Sequence, residues 1–76
     1  MTFKQGTTLT AKQDFSFVNP QTKRTRIIRA GKSFWVANSE VNQKTSGAVE
    51  ICGLSQSMGQ GFHMSLSQVE NWFTVQ

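Results

Sequence analysis

Two side chains carry the chemistry of a catalyst, His63 as a base and Cys52 as a nucleophile, and each is the sole representative of its type in the chain. Catalysis by such a pair needs the nucleophile, an oriented base and donors for the developing charge gathered in one pocket. The local sequence argues against that arrangement. His63 sits between apolar Phe62 and Met64, as an outward-facing strand residue does, and no cation flanks Cys52 to lower its pKa. No paired Cys/His spacing suggests a zinc site, and nothing calls for a cofactor. Gly31-Lys32-Ser33 matches the end of a phosphate-binding loop, but Arg26 stands where the leading glycine belongs, and a strand rather than a helix follows. The chain reads as non-enzymatic.

The more specific signal is electrostatic. Lys23, Arg24, Arg26, Arg29 and Lys32 put five of the eight Lys/Arg residues into a ten-residue run without an acid, and Trp35 follows directly. Arginines beside an aromatic are a recurring way to hold nucleic acid, with phosphates on the cations and bases stacked on the ring. A solvated hairpin whose charges discourage edge-to-edge aggregation has the same composition, and Trp35 then covers the outer wall of the domain. Two functions remain open: a module contacting nucleic acid through the 23–35 hairpin, and a protein-protein interaction module or small inhibitor that docks the basic run on an acidic patch of a larger partner. No recognised nucleic-acid motif is present.

Composition sets the frame for either function. Seventy-six residues, 37% hydrophobic and 16% charged, describe a single globular domain over residues 1–76 with a small core. The net charge of +4 favours anionic partners. With one cysteine there is no internal disulfide, and no segment has the apolar length of a membrane span, so the expected compartment is the cytoplasm.

The elements that must position the basic run are strands. Leu9 and Ala11 alternate within a threonine-rich first strand, and Phe15, Phe17 and Val18 continue an extended segment. Asn19-Pro20-Gln21-Thr22 signals a reversal, and residues 23–29 return as a strand whose Ile27-Ile28 doublet suggests a bulge or a covered edge. After Gly31 a strand places Phe34 and Val36 on one face and Trp35 and Ala37 on the other. Residues 38–47 read as a polar surface loop. Val49 and Ile51 face opposite Glu50 on the next strand, and Phe62-His63-Met64 forms another after a glycine-rich loop. Ser67-Gln68-Val69-Glu70 fits a capping box for one short helical turn over 67–71, before a last strand at Phe73-Thr74-Val75. The expected core is Leu9, Phe34, Val36, Val49, Ile51, Phe62, Met64, Leu66, Val69 and Phe73.

Gly31 with Phe34 and Val36 after it, Gly61-Phe62-His63-Met64 before the terminal turn, and Ala11-Lys12-Gln13-Asp14-Phe15 near the start together carry a resemblance to the small Src-homology-three-like β-barrels. The resemblance implies an all-β fold, a closed five-stranded barrel with one short 3₁₀ or α turn before the last strand. The signalling function of such domains does not carry over. Their proline-rich ligands dock on several aromatics, and this chain has no tyrosine and continues Val36 with Ala37-Asn38-Ser39.

Overall fold

Alternation at Thr8–Ala11, with Leu9 and Ala11 buried, makes strand β1 one-sided, and the remaining strands follow the same rule. The computed structural model describes residues 1–19 and 22–75. Its further strands are β2 (Phe15–Val18), β3 (Thr25–Ile28), β4 (Ser33–Val36), β5 (Ala48–Gly53), β6 (Phe62–Ser65) and β7 (Phe73–Val75), with helices α1 (Glu40–Ser46) and α2 (Leu66–Trp72). Five strands form one antiparallel sheet in the order β6-β5-β4-β1-β7, and β2 and β3 form a separate hairpin.

The expected closed all-β barrel is not what the chain forms. The sheet is an open half-barrel whose edges stand 11 Å apart, more than twice the ~4.8 Å between hydrogen-bonded strands. Because each neighbour in the sheet is antiparallel, the two edge strands β6 and β7 run the same way, and same-direction strands require a crossover connection rather than a tight turn. Helix α2 is that crossover. Its cap is Ser65, two residues before the expected Ser67, with Gln68 completing the capping box, and Val69 is its buried anchor. Seven helical residues therefore replace the short turn expected over 67–71.

Helix α1 replaces the loop expected over 38–47. Ser39 caps it by accepting from the Asn42 amide, and Gly47 ends it at φ 73°, a left-handed position suited to glycine. Its inward residue is Gln43, fully buried, whose side chain accepts from the Phe3 amide at 2.8 Å and donates to the carbonyls of Phe3 and Asn38. A polar anchor hid this helix from an apolar-periodicity reading.

The β2–β3 hairpin covers the open side of the sheet through its side chains. Phe15 stacks on Trp72 with ring centroids 4.9 Å apart and meets Phe73 edge-on, while Phe17 packs on Phe62. Phe34, fully buried, touches both Phe62 and Phe73. Of the expected core only Leu66 is half-exposed; Phe3, Ile28, Ala37 and Cys52 join it. The Ile27-Ile28 doublet is neither bulge nor covered edge. Register is unbroken across Phe15↔Ile28 and Ser16↔Ile27, so Ile28 points inward and Ile27 is exposed. Of the expected turn, Pro20 and Gln21 lie outside the described residues. Glu50, expected to face outward, is buried. No helix among the described residues is long and apolar enough to cross a membrane.

Candidate functional site

The regular register of the hairpin decides where the basic run goes. On β3, Arg26 shares the inward face with Ile28 and lies opposite Phe17, so its guanidinium extends over Phe62, 4.8 Å from the ring centroid. A planar guanidinium laid on an aromatic ring keeps its N–H edge available to a ligand. The turn at Gly31, φ 84°, leads into β4 with Lys32 at the same cleft as Arg26, its Nζ 5.5 Å from the Phe34 ring centroid.

Arg26 and Lys32 line one cleft of about 590 Å³, walled on the far side by the Gly53–Gln56 turn. A second cleft of about 400 Å³ runs from Arg24 and Thr22 past Arg26 to Gln60 and Phe62. Arg26 lines both, so the two clefts adjoin at its side chain and make a paired groove with Arg24, Arg26 and Lys32 among its lining residues. Among the described residues lining either cleft there is no carboxylate.

The other expected site residues lie elsewhere. Lys23 occupies a left-handed position in the hairpin turn, φ 63°, its amide donating to the Asn19 carbonyl, and it lines neither cleft. Arg29 is paired with Asp14 at 3.3 Å, which offsets its charge. The Asp14 carboxyl is held below the usual carboxylate range by the Ala30 amide and then by Arg29. Trp35 is half-buried and lines neither cleft; its indole N–H donates to the carbonyls of Gly53 and Gln56 at 3.0 and 3.2 Å. It is therefore a fastener for the groove's far wall.

The residues of possible catalytic character do not come together. Cys52 is buried under the loop that follows β5, with its thiol donating to the Ser57 carbonyl, and burial together with the Glu50 charge pushes the thiol pKa up. His63 is exposed on the edge strand. Among the described residues no three His, Cys, Asp or Glu side chains gather as metal ligands would.

Sequence reasoning missed the far wall of the groove, Gly53 to Gln56, and the contribution of Gln60. The available signal was Gly53 at the end of an alternating strand, which marks a bend but not what the bend approaches. No family model, curated protein or solved structure matches the chain.

Proposed function

We propose that this protein is a non-enzymatic binding module that holds a single nucleic-acid strand along the groove of Arg24, Arg26 and Lys32. The observation that carries the reading is the shared position of Arg26 in two adjoining clefts, with a cation on either side of it and no carboxylate among the described lining residues. A polyanion laid there meets three positive charges in succession without a repulsive neighbour. Duplex reading through the major groove has less support. Helix α2 has no Lys or Arg, and α1 has one, Lys44, so neither offers a basic recognition helix. His63, exposed and opposite Glu50 across the β5–β6 ladder with no hydrogen bond or ion pair to it, and the buried Cys52 thiol support the non-enzymatic reading.

The protein-docking reading keeps one specific observation in its favour. Leu54 lines the Arg26–Lys32 cleft and is 67% exposed, an apolar contact suited to an acidic, aliphatic peptide. Anisotropy titration of a labelled oligothymidylate at several salt concentrations separates the two. Three phosphate contacts on a single strand correspond to a slope of log K against log salt of roughly −2, and Arg24→Gln, Arg26→Gln or Lys32→Gln each flattens it by about 0.7. Strand binding that ignores all three substitutions, or none at low salt, refutes the proposal.

A further inference from the structure

Helix α1 and the loop after β5 flank a second polar feature, a shallow depression outside the basic groove. Glu50 is 7% exposed, on the outer face of β5, and lines a cavity of about 310 Å³ with Gln5, Asn38, Ser39, Asn42 and Met58. Carboxylates this deep in a protein are costly unless a positive partner or several donors meet them. Here Oε2 accepts from the Gly59 amide, and no described lysine, arginine or histidine forms an ion pair with the group. Among the described residues no buried polar side-chain atom lacks a partner. Oε1, which has none, is thus the part of Glu50 that still reaches solvent.

From this carboxylate, with one oxygen held by the protein and the other open to solvent without a positive partner, we infer that the cavity is a binding site for an alkylammonium group, the chemistry of a small primary amine or of a lysine side chain. The head group follows from the free acceptors. A guanidinium prefers both carboxylate oxygens at once, and Oε2 is already occupied, whereas an ammonium can share Oε1 with other oxygens. The Gln5 amide nitrogen donates to the Ala37 carbonyl, the Asn42 amide oxygen accepts from Asn38 Nδ2 and the Ser39 hydroxyl accepts from the Asn42 amide, leaving the Gln5 amide oxygen as the neutral acceptor without a donor among the described residues. Met58 supplies an apolar wall for the alkyl stem. The overall charge of +4 does not oppose such a ligand, because exposed cations beyond ~8 Å are screened at physiological salt while Glu50 acts at contact.

The test is a titration followed by backbone amide shifts, with n-butylammonium, Nα-acetyl-lysinamide and its neutral Nε-acetylated counterpart as probes. Saturable shifts centred on Gly59 and Asn42 are expected with both charged probes and not with the neutral one. Glu50→Gln, which keeps an acceptor for the Gly59 amide, should weaken binding roughly tenfold or more. Preference for the capped lysine assigns the site to a partner's lysine side chain, and preference for butylammonium assigns it to a free amine; equal binding supports recognition of the alkylammonium group itself. Absence of saturable shifts, equal response to the neutral probe, or indifference to Glu50→Gln overturns the inference. Should Glu50→Gln fail to fold, the charged and neutral probes on the unaltered protein decide by themselves.

Discussion

Replacing Gln43 with leucine probes the polar anchor of helix α1. The two side chains have similar volume, so the substitution leaves no large cavity, and leucine has the higher helix propensity of α1's possible inward residues. An apolar-periodicity argument therefore expects stabilisation. The structure predicts the opposite. Gln43 accepts from the Phe3 amide at 2.8 Å and donates to the Phe3 carbonyl at 2.6 Å and the Asn38 carbonyl at 3.2 Å, all in buried surroundings. Leucine strands these backbone groups, each at ~1 to 3 kcal/mol, for a total of roughly 3 to 5 kcal/mol after partial relaxation toward water. A chain of this size has a stability on the order of 5 to 10 kcal/mol, so the urea midpoint should fall by a third or more. Lys44→Ala, at the exposed neighbour, should change it little. Hydrogen exchange at the Phe3 amide gives a local check, since its protection depends on Gln43 Oε1. A Gln43→Leu protein with an unchanged or raised midpoint and a protected Phe3 amide refutes the account of how α1 is anchored.

Trp35→Phe keeps the ring but loses the N–H that holds Gly53 and Gln56, so stability should drop by about 1 kcal/mol. Strand binding should weaken with it while the salt slope stays the same, because no charge is removed; a changed slope contradicts the fastening role. Asp14 has a lowered folded-state pKa, so its contribution is present above the ordinary carboxylate pKa and is lost as pH falls through the folded value. The difference in urea midpoint between the unaltered protein and Asp14→Asn should accordingly exist at neutral pH and close in acid; a gap that widens in acid has the wrong sign. The Cys52 thiol should react slowly with an aromatic disulfide reagent in the native protein and at the rate of a free thiol in urea, and equal rates contradict its burial.

What could be read from the residues followed the length scale of each interaction. Strand faces depend on neighbours two positions apart, and Leu9, Phe34, Val36, Val49 and Ile51 lie inward as alternation requires. Helix α1 was illegible because its anchor is polar and its partners, Phe3 and Asn38, are recognisable only once the chain end folds against it. The path of the sheet depends on contacts far apart in the chain. The count of antiparallel strands determines whether the edges run alike, and that count depends on β1 pairing with β7, some sixty residues away. The basic run was visible as a composition, but its division was not. Asp14 takes Arg29, Phe62 takes one face of Arg26, and the Phe17↔Arg26 register turns Arg26 inward, where it lines the clefts that also hold Arg24 and Lys32.

Amide shifts of the isotope-labelled protein, mapped during titration with unlabelled oligothymidylate at low salt, decide whether the groove holds a strand. A strand held in the groove predicts saturable shifts at Arg24, Arg26, Lys32 and Ser33 on one side and at Gly53 through Gln56 on the other, with Lys23 and Arg29 affected less. Shifts confined to Lys23 and Arg29, or shifts in the groove produced by an acidic aliphatic peptide and not by the oligonucleotide, contradict it.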